Sequence, residues 1–211
     1  MQLYPELKKV IDHARNQEIT PARKNELHVL IDYLLVKRKS GQELRLQFIC
    51  THNSRRSQFC QAWAHVAAAI HEVDAQIYSG GTEVTECHPN TIQSLLRMGF
   101  QVTVSDSPYE NPVYKVRFSK EKKALYLHSK TFDDPKNPNH SFAAIMTCSD
   151  ADENCPFIPG CEVRIPLRYE DPKAFDHSPL DLAMYDLCSL QVASEMLYVF
   201  SKLSHSNSPK S

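Results

Sequence analysis

The passage that most constrains this chain is an unbroken run from a strand into a tight polar loop and out into a helix. Leu44-Arg45-Leu46-Gln47-Phe48-Ile49 reads as a short strand. Gln58 to Ile70 is alanine-rich, with Phe59, Ala62, Trp63, Val66 and Ile70 on one side of a helix. Between them stands Cys50-Thr51-His52-Asn53-Ser54-Arg55-Arg56-Ser57. A strand that turns directly into a helix is the first half of a βαβ unit, and the rest of the chain repeats the theme. Ala75 to Ser79 reads as a second strand ended by Gly80-Gly81, and Asn90 to Met98 as a helix after Pro89. Ala143 to Thr147 reads as a buried strand ending at Cys148, Val163 to Pro166 as a further strand, and Leu180 to Leu203 as a long amphipathic helix. The expected fold is α/β: a three-layer αβα arrangement around a central, mainly parallel, four-stranded sheet.

Two segments depart from that rhythm. Residues 1 to 43 read as two helices. The first carries Leu3, Leu7, Val10, Ile11 and Ala14. The second is opened by Thr20 as N-cap with Pro21 at the first helical position. Its apolar face is expected at Leu27, Val29, Leu30, Tyr33, Leu34 and Leu35, and Lys37-Arg38-Lys39 reads as a solvated basic end suited to the helix dipole. Farther on, Val113 to Phe118 and Ala124 to His128 flank Ser119 to Lys123 as a β-hairpin does, and Asp133 to Asn139 reads as a loop. The organisation expected is therefore an N-terminal helical extension over 1–43, a main domain over 44–203 with an insertion at about 111–139, and a flexible tail over 204–211.

Composition narrows the function classes. Hydrophobic residues at 42% and charged residues at 23% allow a core of normal size, and a formal net charge of −1 gives no reason to expect nucleic acid or an anionic membrane as partner. No apolar run approaches the roughly 18 residues of a membrane span, and Met1 to Val10 has no secretory apolar region, so a cytosolic location is expected. There are seven cysteines. An odd number with no export signal argues for reduced thiols rather than a disulfide scaffold. Cys60, Cys87 and Cys188 read as small buried hydrophobes.

Position gives the Cys50 loop its chemistry. It lies at the C-terminal edge of a parallel sheet, where such folds bind ligands. Its backbone N–H groups can form a nest for an anion, backed by the positive end of the following helix, and both favour the thiolate of Cys50. Arg56, six residues after the cysteine, offers a guanidinium that matches two oxygens of a tetrahedral oxyanion. Asn53 and Ser57 can hold the loop and hydrogen-bond the sulfur.

The run Cys50-Thr51-His52-Asn53-Ser54-Arg55-Arg56-Ser57 resembles the signature loop of the low-molecular-weight protein tyrosine phosphatase fold, usually C-T-G-N-S-C-R-S, and the likeness extends over about 44–203. The resemblance implies Cys50 as nucleophile, with Thr51, His52, Asn53, Ser54, Arg55, Arg56 and Ser57 around the oxyanion. It implies Asp171, before Pro172, as general acid. Asp133-Asp134-Pro135 precedes the Cys148 strand, where the family carries no acid. Two chemistries occur on this fold: phosphate monoester hydrolysis through a phosphocysteine, and thioredoxin-coupled reduction of arsenate. The segment Thr147-Cys148-Ser149-Asp150-Ala151-Asp152-Glu153-Asn154-Cys155-Pro156 resembles the redox segment of the reductases. That implies Cys148 and Cys155 as successive resolving thiols and thioredoxin as a transient partner, with Ser149 to Asn154 polar enough to be mobile. Cys161 is a further thiol nearby that could complete the relay instead. The gap between Cys148 and Cys155 is too long for a zinc knuckle, and neither a metal nor an organic cofactor is expected.

The sequence also departs from the pattern. His52 replaces the usual glycine. Arg55 brings a positive charge expected beside the anion. Gln61 stands where the reductases often carry a potassium-binding glutamate. Lys173 stands where phosphatases favour tyrosine. Arsenate reduction ranks first, a phosphatase second, and a phosphate-binding module without turnover third.

Overall fold

A computed structural model describes residues 1–106, 110–154 and 157–204. Four strands form one sheet: β1 (Arg45–Cys50), β2 (Gln76–Gly81), β6 (Phe142–Met146) and β7 (Cys161–Pro166). Their order is β2-β1-β6-β7, and all three pairings are parallel. The chain leaves β1 toward β2 on one side and returns to β6 on the other. The switch point of the sheet therefore lies between β1 and β6, and the crevice there opens at their C-terminal ends, where Cys50 and Cys148 stand.

Both faces of this sheet are buried, which is why its strands read as near-continuous apolar runs. Leu46, Phe48, Ala143, Ile145 and Ile165 face the larger core with α3 (Arg56–Ile70) and α6 (Asp181–Ser204). Phe142, Ala144 and Met146 face a smaller core closed by α5 (Ser149–Asn154), which also holds Ile49, Cys50 and Cys148. The result is the three-layer arrangement expected from the alternation of strands and helices.

The two N-terminal helices, α1 (Pro5–Arg15) and α2 (Pro21–Lys39), pack on α6 and enter the larger core through Leu7, Ile11, Ala14, Leu27, Leu30, Ile31 and Leu34. Thr20 caps α2 by accepting the Arg23 N–H at 3.2 Å. Two details of α2 differ from the sequence reading. Its buried face runs 27, 30, 31 and 34, so Ile31 is inside and Val29 is 52% exposed. Lys37 is buried rather than solvated, with its ammonium 2.7 Å from Glu162 at the start of β7. An i, i+3, i+4, i+7 stripe is narrower than the full set of apolar residues on α2, and a long-range ion pair leaves no local signal.

The hairpin is present as β4 (Val113–Arg117) and β5 (Leu125–Leu127), with a third antiparallel strand, β3 (Gln101–Asp106), added to its outer edge. α4 (Pro89–Arg97) leads into β3 through Gly99, whose φ of +91° and close approach to the Leu7 backbone require glycine. Among the described residues no helix is long and apolar enough to cross a membrane.

Candidate active site

In the loop after β1 the carbonyls are engaged by neighbouring segments while the N–H groups are not. The Thr51 carbonyl accepts from Glu83 N–H at 2.9 Å and from Thr82 Oγ1 at 3.1 Å. The His52 carbonyl accepts from Ser129 Oγ at 2.7 Å, and the Asn53 carbonyl from Gln58 Nε2 at 2.7 Å. The Ser54 carbonyl accepts from His88 N–H at 3.1 Å and Thr91 Oγ1 at 3.2 Å. Four successive carbonyls are thus held outside the turn. Among the described residues the main-chain N–H groups of 52–57 donate to no protein acceptor. Converging, unspent N–H groups ahead of a helix are the donors a tetrahedral oxyanion needs.

Asn53 makes this turn possible. It sits at φ +47°, a region asparagine tolerates better than most residues, and its buried side chain locks the conformation. Its Nδ2 donates to Ser57 Oγ at 2.8 Å, and its Oδ1 accepts from the Lys130 N–H at 3.1 Å. Ser57 Oγ then lies 3.1 Å from the Cys50 sulfur, which is 3% exposed.

Arg56 closes the nest. Its Nη2 lies 2.6 Å from Asp171 Oδ2, its Nη1 donates to the Tyr169 carbonyl at 3.3 Å, and its Nε is buried without a partner. A buried donor left unsatisfied in this way is available to an oxyanion. Asp171 also accepts the Lys173 N–H at 3.0 Å, capping the 3-10 turn Pro172–Phe175. It is a turn residue and a carboxyl beside the loop arginine at once.

Arg55 departs from expectation. Its guanidinium is paired with Asp176 at 3.0 Å and donates to Tyr185 OH at 2.5 Å, so its charge is neutralised against α6 instead of standing free beside the anion. Tyr185 donates in turn to Asp176 at 2.8 Å, and His88 stacks on its ring at 5.4 Å. Burial, with Arg55 second, holds the His88 imidazole below its ordinary range. Asp176, Tyr185 and His88 form a brace for the loop from residues that no local pattern connects. His52 points to the surface, its Nε2 3.3 Å from Glu83 Oε2.

Cys148 lies across the loop from Cys50. It is 1% exposed, its sulfur lies 3.5 Å from Thr51 Oγ1, and the Ala151 N–H donates to it at 3.3 Å. Both sulfurs belong to the smaller core, and Cys161 packs at its edge. Ser149 to Asn154, read from sequence as a mobile stretch, is the helix α5. Thr51 donates to Asp150 at 2.6 Å, and Asp152 pairs with Arg164 at 3.1 Å and Arg168 at 2.6 Å. Its acidic first turn suits a helix start, a signal the polarity of the segment had masked. Cys155 lies outside the described residues. The remaining thiols fit the structural reading: burial pushes Cys60 and Cys87 well up, and Cys188 up to about 12.

Beside Arg56 and Asp171 opens a cleft of about 870 Å³ whose far wall is the turn between α1 and α2, including Glu18, Thr20 and Arg23, and whose near wall includes Tyr169, Glu170 and Leu187.

Gly81 is a site residue that sequence reasoning missed. It pairs with Cys50 in the β1–β2 register, and a Cβ there would meet Thr51 O at 2.6 Å, Asn53 N at 2.7 Å and Glu83 O at 2.8 Å. All three are backbone atoms of, or bonded to, the loop. Gly81→Ala is therefore expected to displace the nest, lowering kcat/KM by roughly a hundredfold. Steady-state kinetics of the folded variant, checked by circular dichroism, measures this. A pair of glycines ending a strand was the available signal, and its meaning was close approach.

No family model matches the chain. Over 127 residues, which are 60% of this chain and 77% of the relative, it is 28% identical to arsenate reductase 2 of Staphylococcus haemolyticus. Over the same length it is 27% identical to the arsenate reductase of Staphylococcus aureus strain Newman. In fold it is similar to a low molecular weight phosphotyrosine phosphatase from Vibrio cholerae O395, with a TM-score of 0.51 and 14% identity over 78% of this chain and 99% of that one.

Proposed function

We propose that this chain is a member of the low-molecular-weight protein tyrosine phosphatase superfamily and a cysteine-nucleophile oxyanion enzyme whose principal reaction is thioredoxin-coupled reduction of arsenate, a reading its likeness to arsenate reductases and to the phosphatase fold supports. The observation that carries this reading is the second buried thiol. Cys148 shares the Thr51 hydroxyl and the smaller core with the nucleophile loop, a position that hydrolysis does not require and reduction does.

The steps follow from the groups available. The Cys50 thiolate, facing the nest, attacks bound arsenate and forms an S–As bond; the displaced hydroxyl takes a proton from the Asp171 carboxyl and leaves as water, with arsenic still pentavalent. The nest N–H groups and the Nε of Arg56 hold the oxygens as charge builds on them. The Cys148 thiolate then attacks the Cys50 sulfur. An S–S bond forms, the S–As electron pair stays on arsenic, and arsenic leaves as trivalent arsenite. The two sulfurs have supplied the two electrons. Attack of Cys155 on the Cys148 sulfur next frees Cys50 and carries the disulfide away from the loop, where the dithiol of thioredoxin reduces it. The near relatives named arsenate reductases support this reading over the other.

A specific contact favours a second activity. The Asp171 carboxyl lies 2.6 Å from Arg56 beside the nest. With a phosphate monoester bound, Arg56 turns to the phosphate and Asp171 protonates the leaving oxygen, giving a phosphocysteine that water hydrolyses. Lys173 rather than an aromatic residue follows Pro172, which argues for small esters over phosphotyrosine.

The test is oxidation of NADPH by purified protein with arsenate, thioredoxin and thioredoxin reductase. Wild type should turn over repeatedly and Cys148→Ser should not, while Cys148→Ser keeps its hydrolysis of p-nitrophenyl phosphate. An inactive wild type that still cleaves p-nitrophenyl phosphate would make the phosphatase the principal reaction.

A further inference from the structure

A second cavity, of about 410 Å³, lies on the other side of the Cys50 loop, between the β4–β5 hairpin, β2 and the segment 128–137. Its charged walls are lysines, while burial, with Lys130 next, lowers the neighbouring His128 imidazole to about 4. Lys130, Lys136 and His128 line it together with Gln61, Tyr78 and Tyr126, and no carboxylate lines it. Lys130 is 6% exposed, and among the described residues its ammonium has no ion pair or hydrogen bond. A largely buried lysine on a cavity wall, with no ion pair among the described residues, is a cost to the fold that a ligand of opposite charge would reduce. Gln61 is arranged to the same end. Its Oε1 is taken by Ser79 Oγ at 2.5 Å, which leaves its amide N–H groups as donors. The rings of Tyr78 and Tyr126 and the Val113 side chain give the rest of the wall an apolar character.

We infer that this cavity is a binding site for a small carboxylate with an apolar body, its charge on Lys130 and Lys136 and its body against Tyr78 and Tyr126. Burial, which Lys136 reinforces and nearby Asp134 opposes, lowers the Lys130 ammonium to about 8. A bound carboxylate would reverse that shift. The volume falls within the range of ordinary small-molecule sites.

The site is wired to the catalytic loop. The Lys130 N–H donates to Asn53 Oδ1, Ser129 Oγ donates to the His52 carbonyl, and Gln58 bridges the carbonyls of His128 and Asn53. Residues 128 to 130, of which His128 and Lys130 line the cavity, are thus fastened to His52 and Asn53 of the loop. A ligand that pulls on Lys130 changes the loop's preferred geometry, and by linkage an oxyanion in the loop changes the ligand's affinity by the same factor.

Calorimetric titration with benzoate tests this. Benzoate should bind wild type and Cys50→Ser alike, since neither turnover nor the nucleophile is involved. It should bind Lys130→Met at least roughly tenfold more weakly, and Lys136→Gln more weakly by a smaller factor. Lys136 is exposed, so its variant remains informative if Lys130→Met fails to fold. Absence of saturable benzoate binding would overturn the inference. So would binding that survives both lysine substitutions, or binding that inorganic phosphate displaces in simple competition, which would place benzoate in the Cys50 loop. Because Cys50→Ser is one arm, the outcome stands apart from whether the protein reduces arsenate or hydrolyses esters.

Discussion

Cys50→Ser should lose turnover of both arsenate and p-nitrophenyl phosphate by at least roughly ten-thousandfold, while still folding and still binding phosphate. Both reactions begin with the same bond from the same sulfur, so no second route rescues either. The oxygen of serine is a far weaker nucleophile at neutral pH, and its neighbour Ser57, 3.1 Å from the sulfur, is a hydroxyl and no base. The nest is made of main-chain N–H groups and of Arg56, whose positions depend on Asn53, Gln58 and Gly81 rather than on Cys50. Phosphate binding should therefore change little. Kinetics and phosphate titration on the same preparation separate the two effects. A variant that loses binding as well would mean the sulfur is part of the loop's structure.

Glu195→Ala should destabilise the protein by about 3–5 kcal/mol, which lowers Tm by about 10 °C for a chain of this size. Glu195 is 3% exposed on α6, and its carboxylate accepts from the Nε and Nη2 of Arg23 on α2, at 2.9 Å each. Arg23 also stacks over Tyr169 at 4.8 Å and pairs with Glu26. Removing one member leaves a largely buried guanidinium with its best partner gone. Replacing both, as Arg23→Met with Glu195→Met, should recover most of the loss, because two apolar side chains tolerate burial where a lone charge does not. The Tyr169 carbonyl is a partner of Arg56, so Glu195→Ala should also lower kcat/KM, by a smaller factor than Gly81→Ala. Thermal melts of the single and double variants check both statements. The pair fastens α2 to the wall of the catalytic cleft, which is where the first two helices meet the site.

Local pattern carried the sequence reading a long way. The strand into Cys50, the helix after it, the Thr20 cap and the hairpin all rest on spacing within a few residues, and all are present. The placement of the Cys50 loop between a strand and a helix was legible for the same reason. What was missed depends on residues far apart in the chain. Val29 and Ile31 are equally apolar, and only the position of α6 decides that Ile31 faces inward. Lys37 looked like a solvated helix end until Glu162, 125 residues away, took its charge. Arg55 looked like an extra charge for the anion until Asp176 and Tyr185 claimed it. Lys130 carried no sequence signal, because its significance is the absence of a carboxylate on walls drawn from four separate segments. Gly81 was visible as a strand end and invisible as a point of contact, since the Thr51 and Asn53 backbone it must not touch belongs to the loop some thirty residues earlier.

If Cys50 bonds to arsenic and Cys148 then attacks the Cys50 sulfur, a single turnover of Cys155→Ser should show both. With the next thiol removed, one equivalent of arsenate without external reductant should yield one equivalent of arsenite and stop. Peptide mapping should then find the thiols of Cys50 and Cys148 joined as a disulfide. Arsenite release with Cys148 still free, or no arsenite while p-nitrophenyl phosphate is hydrolysed, would contradict that mechanism.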